Sequence, residues 1–203
     1  MSVKNKTLSG GKIAGGNPEH GRVEHDFYAT NPKAVDMLFN SFNEVDLSNC
    51  KILEPSAGKG HICNALRNLG ASKIDCVDIV DRGLENVICT DFLDWKTYNR
   101  YNLIITNPPF CLAKEFIEKS FELLDDSGYI IMFLKIQFLE GAKRKDFFDK
   151  HPPKYVYVFR NRMATWNNGN ELDPNGKRWA TTMCYAWFVW QDGFNGEPII
   201  RWL

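Results

Sequence analysis

Apolar residues along this chain keep two different periods, and the places where the period changes mark the elements. Residues 1–24 keep neither: the stretch is rich in Gly, Asn and Lys and reads as a flexible arm ahead of one domain spanning residues 25–203. From Asn31 the period is helical. Asn31 is placed to cap, Pro32 takes the first helical position, and Val35, Leu38, Phe39 and Phe42 share one face. Short apolar runs then alternate with amphipathic ones. The first is KILEP at 51–55, then a helix over residues 61–69 stopped by Gly70, KIDCVDIV at 73–80 and ENVICTD at 85–91. NLIITN at 102–107, a helix over residues 112–124 and GYIIMFLK at 128–135 continue the series. Such alternation implies parallel strands joined by helical crossovers. The tail departs from it: KYVYVFRN at 154–161 and TTMCYAWFVWQ at 181–191 are aromatic-rich strands with no helix between them, so they pair antiparallel at one end of the sheet. Between them, residues 162–180 form a polar loop punctuated by Gly, Asn and Pro. The expected fold class is α/β, a mostly parallel seven-stranded sheet with helices on both faces and an antiparallel C-terminal strand.

Composition narrows the picture modestly. With 203 residues, 44% hydrophobic and 25% charged, the chain is long enough for one well-packed α/β domain and short for two. Lys+Arg and Asp+Glu both number 25, so overall charge selects no partner. Its distribution does more: residues 139–180 carry nine basic and five acidic side chains, a net +4 downstream of the predicted strand ends. Six cysteines (Cys50, Cys63, Cys76, Cys89, Cys111, Cys184) include no Cys-x-x-Cys pair and read as reduced, four of them in predicted cores. The even spacing of the first four reads as chance. His20, His25, His61 and His151 have no ligand spacing, and no metal is expected. No leader-like h-region and no apolar run near ~18 residues is present, so the expectation is a cytoplasmic protein that does not span a membrane.

Two stretches carry chemistry. The buried strand Leu103–Ile104–Ile105 runs into Asn107, Pro108, Pro109 and Phe110, at the carboxyl end of a strand where α/β sheets bind ligands. The prolines cannot donate hydrogen bonds and stiffen the loop, leaving carbonyls unpaired. The second stretch, LEPSAGKGH at 53–61, begins as a strand and becomes a helix, with a Gly-x-Gly turn that lets a ligand approach the backbone. Position 63 is Cys, against the third glycine of a dinucleotide fingerprint, and Lys59 is followed by Gly60 and His61, against a phosphate-binding loop. A nucleoside site without a phosphate cradle remains. Asp78 closes the next strand, where a carboxylate accepts from ribose hydroxyls, and Asp91 with Phe92 closes the one after, suited to an adenine amino group and ring face.

Together these residues make the chain resemble S-adenosylmethionine-dependent DNA adenine-N6 methyltransferases, especially short phage-type ones. Glu54, Pro55, Ser56, Ala57, Gly58, Lys59 and Gly60 look like the family's cofactor loop, and Asn107 to Phe110 like its catalytic tetrapeptide. The segment Asp26-Phe27-Tyr28-Ala29-Thr30 is similar to a further cofactor motif, which nominates Tyr28 and Thr30. The resemblance covers roughly residues 25–135 well and the tail more loosely. It implies a Rossmann-like methyltransferase fold, S-adenosyl-L-methionine as cofactor and DNA as partner, with no metal; a monomer is assumed, and the cytoplasmic location would be the host's if the chain is phage-encoded. Asn107 would serve both catalysis and the cofactor site. No separate target-recognition domain fits the length, so recognition is expected from the loop at 162–180. Lys143, Arg144, Lys145, Arg160, Lys177 and Arg178 would lie on phosphates, with Trp166 or Trp179 near the bases. Three alternatives stay open: an RNA adenine or guanine methyltransferase, a protein-glutamine methyltransferase, and a nucleic-acid-binding scaffold with an inactive methyltransferase fold. The intact Asn107 and glycine loop weigh against the last.

Overall fold

The computed structural model describes residues 27–203; the expected arm at 1–24, Asp26, His20 and His25 lie outside the described residues. Ten strands and four α-helices occur among them. In order they are β1 (Tyr28–Ala29), α1 (Pro32–Phe39), β2 (Lys51–Glu54), α2 (His61–Asn68), β3 (Lys73–Asp78), β4 (Val87–Cys89) and β5 (Tyr101–Thr106). There follow α3 (Ala113–Leu123), β6 (Leu124–Lys135), α4 (Lys145–Lys150), β7 (Tyr155–Val158), β8 (Trp166–Asn167), β9 (Tyr185–Gln191) and β10 (Ile199–Trp202). Helix α1 starts as its sequence dictates: the Asn31 side chain accepts the Lys33 N–H at 3.1 Å, and Pro32 follows.

Eight strands form the main sheet, in the order β10-β7-β9-β6-β5-β2-β3-β4, and only β9 runs against its neighbours. The expected antiparallel pairing of the two aromatic strands holds, with Val156 opposite Phe188. The sheet has eight strands where seven were expected. The extra one, β10, lies at the edge with all four residues exposed, so its sequence has no alternation to betray it.

Strand alternation sorts the core into two layers. Tyr129, Ile131 and Phe133 of β6 and Tyr185, Trp187 and Val189 of β9 meet Val35 and Leu38 of α1 and Leu66 of α2 on one face. Ile130, Met132 and Leu134, with Phe188 and Trp190, meet Phe116 and Ile117 of α3 and Phe147 of α4 on the other. Each fully buried side chain of this size stabilises by roughly 1.5–3 kcal/mol. The buried indoles are satisfied: Trp187 Nε1 donates to the Ala34 carbonyl and Trp190 Nε1 to that of His151, both at 2.9 Å.

The chain leaves β2 toward β3 and β4, then returns to place β5 and β6 on the other side of β2. This switch point puts the carboxyl ends of β2 and β5, Glu54 and Thr106, beside one crevice. The cysteines differ from expectation in one way. Cys50, Cys63 and Cys76 are buried, but Cys89 is exposed because β4 is an edge strand. Cys63 on α2 and Cys76 on β3 converge, their sulfurs 2.7 Å apart.

Candidate active site

The glycine loop bends because Gly58 and Gly60 take φ of +56° and +79°, conformations an L side chain rarely adopts. Space forbids a side chain as well: a Cβ on Gly58 would lie 2.3 Å from the Phe27 ring. The loop is braced from beneath. The Asp78 carboxylate, buried, accepts the Gly58 N–H at 2.7 Å and the Val80 N–H at 2.9 Å. Glu54, buried, accepts the Cys63 backbone N–H at 3.0 Å and its thiol at 2.7 Å, tying the end of β2 to the first turn of α2. Burial holds the Glu54 carboxyl well above the ordinary glutamate range, against lowering by its Cys63 bonds.

A cleft open to solvent lies above this loop. Tyr28, Thr30, Glu54, Pro55, Ser56 and Ala57 line it, as do Asp78, Asp91, Phe92, Asn107 and Pro109. Gly58 and Gly60 stand behind the wall: Gly60 donates to the Ala57 carbonyl at 2.7 Å and starts α2. Asp91 accepts the Leu93 N–H at 2.9 Å, and Phe92 packs on Phe116 with ring centroids 5.0 Å apart. Thr30, 2% exposed, has its hydroxyl at the cleft with no bonding partner among the described residues. An orphaned buried hydroxyl in a cleft that Asp78 and Asp91 also line suits the hydroxyls and amino groups of an adenosyl ligand.

Asn107 follows the end of β5. Its Nδ2 donates to the Tyr28 carbonyl at 2.7 Å, which fixes the amide's sense, since only the NH₂ end can face a carbonyl. Oδ1 therefore points elsewhere and accepts no bond among the described residues, and neither does the Pro108 carbonyl. The Pro109 carbonyl, expected free, accepts the Leu112 N–H at 2.9 Å as a short 3₁₀ turn begins. Phe110 is half-exposed beside the cleft rather than in its wall. Its ring lies 6.0 Å from that of Tyr185, and the Lys135 ammonium sits 5.0 Å from its centroid.

Sequence reading missed several groups. His61 lines the cleft, and burial lowers its pKa from the ordinary histidine value against a partial offset from the Gly169 backbone. Arg82 lines it too, with its guanidinium 4.2 Å from the Phe27 ring centroid. Nothing in the local pattern marked either: His61 is the first residue of α2 and Arg82 lies in the irregular segment after β3. The basic candidates scatter. Arg144, partly buried, donates Nε to the Phe138 carbonyl at 2.9 Å, with its guanidinium carbon 4.8 Å from that ring's centroid. Lys145 pairs with Asp149. Lys143 and Arg160 are exposed, and Lys177 and Arg178 end a small turn in which Leu172 bridges Arg178. Trp166 meets His61 edge-on and Trp179 Nε1 donates to the Asn170 carbonyl at 2.7 Å, so both indoles have partners within the chain.

Solved structures share this architecture. A protein from Listeria monocytogenes described as a class I S-adenosylmethionine-dependent methyltransferase superposes with a TM-score of 0.64 at 13% identity, over 91% of this chain and 68% of that one. The fold is that of S-adenosylmethionine-dependent methyltransferases. A Pyrococcus horikoshii protein described as an RNA methyltransferase gives a TM-score of 0.62 at 16% identity, over 85% and 91%. The modification subunit of a type I restriction enzyme from Vibrio vulnificus gives 0.56 at 13% identity, and this chain spans 45% of its length. No family model matches the chain, and no curated protein does. Among the described residues no cluster of His, Cys, Asp and Glu could hold a metal, and no helix is long and apolar enough to cross a membrane.

Proposed function

We propose that the protein transfers a methyl group from S-adenosylmethionine to the exocyclic N6 of adenine in DNA. The observation that carries this reading is the Asn107 amide, anchored by its NH₂ end on Tyr28 so that Oδ1 and the Pro108 carbonyl are both left as acceptors. An adenine amine is a poor nucleophile because its lone pair is delocalised into the ring. Two acceptors in a dry site take its two N–H groups, favour a pyramidal nitrogen and turn the lone pair toward the methyl. Each preorganised group of this kind is worth on the order of 3 kcal/mol. Bound S-adenosylmethionine would supply the methyl already activated on a sulfonium.

The cleft residues hold that cofactor: Asp78 retains lone pairs for ribose hydroxyls beyond its two backbone bonds, Thr30 offers its hydroxyl, and Asp91 faces the adenine amino group. The target base, turned out of its duplex, stacks on the half-exposed Phe110. Lys143, Arg160, Lys177 and Arg178 hold phosphates, and the loop at 162–180 serves as the recognition element of the domain at 25–203. No covalent intermediate is needed, and Cys111 has no chemical part.

The test is to incubate the protein with labelled S-adenosylmethionine and DNA, RNA and protein substrates, then digest and analyse each pool. Methyl on N6 of deoxyadenosine is expected. Label on RNA alone would favour the RNA alternative, and label on protein alone would refute the assignment.

A further inference from the structure

Strand β8 crosses from the loop at 162–180 to the cofactor cleft, although it is only two residues long. It pairs with β1, Tyr28 opposite Asn167 and Ala29 opposite Trp166. A ribbon this short does not hold itself together in water. Its support comes from side chains of the glycine-loop region. The Lys59 ammonium donates to the Asn168 carbonyl at 3.1 Å, and the His61 ring meets Trp166 with centroids 5.5 Å apart and planes at 86°. Asn168 and Gly169 both take positive φ, 52° and 75°, which turns the chain back over the loop. A Cβ on Gly169 would stand 3.0 Å from His61 Cε1 and 3.1 Å from Lys59 Cδ, so the backbone itself lies against these side chains.

We propose that residues 166–169 are a clamp on the cofactor cleft, with Lys59 as its latch, and that the clamp positions Asn107 through Tyr28. The inference rests on the methyl-transfer reading and adds positioning residues to it. Its logic is geometric. The Tyr28 carbonyl that orients Asn107 belongs to the strand that β8 pairs with, and β8 in turn is fastened to the loop that forms the cleft floor. A ligand filling the cleft and a closed clamp therefore stabilise one another, and this coupling is reciprocal.

Lys59→Met keeps the aliphatic stem and removes the donor. The expected loss is about 3- to 10-fold in affinity for S-adenosylhomocysteine by calorimetry, the size of one hydrogen bond. Turnover should fall by a similar factor while KM for DNA stays as in wild type, and Lys59→Arg should restore both. Lys59 is exposed, so the thermal midpoint should not move. Trp166→Ala should weaken cofactor binding in the same direction, with Trp166→Phe recovering most of it. As a second measurement, hydrogen exchange at the Gly169 and Asn170 amides should slow when S-adenosylhomocysteine binds wild type, and not in Lys59→Met. Equal affinity and equal exchange in Lys59→Met and wild type would overturn the clamp alone. A wild-type protein that binds no S-adenosylhomocysteine would overturn the methyl-transfer reading and the clamp with it.

Discussion

Asn107 offers the sharpest separation of chemistry from stability. Its Nδ2 satisfies the Tyr28 carbonyl at 2.7 Å, while its Oδ1 accepts no bond among the described residues and the residue itself lines the cleft. Asn107→Ala removes both ends at once. The lost structural bond is half-buried and costs about 0.5–1.5 kcal/mol of stability. On the proposed reading the lost acceptor is a preorganised catalytic group, typically worth ~10²–10³ in rate. A modest drop in thermal midpoint should thus accompany a collapse in turnover, with S-adenosylhomocysteine affinity little changed. Asn107→Asp divides the two effects differently. An ionised carboxylate cannot donate to Tyr28, and a carbonyl at that distance disfavours the charge, which raises the carboxyl's pKa. In its protonated form the acid is an isostere of the amide: its hydroxyl donates to Tyr28 and its carbonyl faces the cleft. The Asp variant should therefore gain activity relative to wild type as pH falls, whereas the Ala variant should stay inactive at all pH values. Steady-state turnover on a defined adenine-containing duplex, measured across pH, reads this directly. A flat ratio of Asp variant to wild type, or an Ala variant near wild-type rate, would refute the reasoning.

Asp78→Ala should weaken S-adenosylhomocysteine binding by about 1.5–3 kcal/mol in calorimetry, and unchanged affinity would mean that neither the ribose nor the Gly58 brace depends on it. Neutralising Lys177 and Arg178 should weaken DNA binding evenly across sequences and lower the slope of log affinity against log salt; an unaltered slope would put the DNA on another face. Glu54 has its pKa raised by burial, so the stability it contributes is fully present below its unfolded value near 4.5 and is lost as pH rises through the folded value. Thermal midpoints of Glu54→Gln should consequently fall less than those of wild type over that rise, and parallel curves would show the buried carboxyl to be without influence.

Features fixed by neighbours in sequence were legible. Asn31 and Pro32 start α1 as read, and the alternating apolar positions of β6 divide between the two faces of the sheet. The loop at 107–110 lies at a strand end beside the glycine loop, as the order of motifs implied. What stayed hidden depends on residues far apart in the chain. The β1–β8 pairing joins Tyr28 to Asn167, and neither two-residue strand has a period to detect. The guanidinium of Arg144 lies on the Phe138 ring and carbonyl, contacts that its run of basic neighbours gave no sign of. Cys63 and Cys76 meet only because α2 returns the chain to β3.

The single reversed strand, β9, decides where the preceding loop arrives. Running against β6, it starts at Tyr185 beside Lys135, where β6 ends, so the chain entering β9 arrives on the same rim as Asn107. Residues 172–178 close on themselves through the Leu172–Arg178 bridge and the Asp173–Lys177 bonds, and none of them belongs to either core layer. A different turn could be grafted between those two positions without repacking the sheet, so that, on the methyl-transfer reading proposed above, this segment would be a cassette through which the target could be rewritten while the glycine loop and Asn107 stay in place.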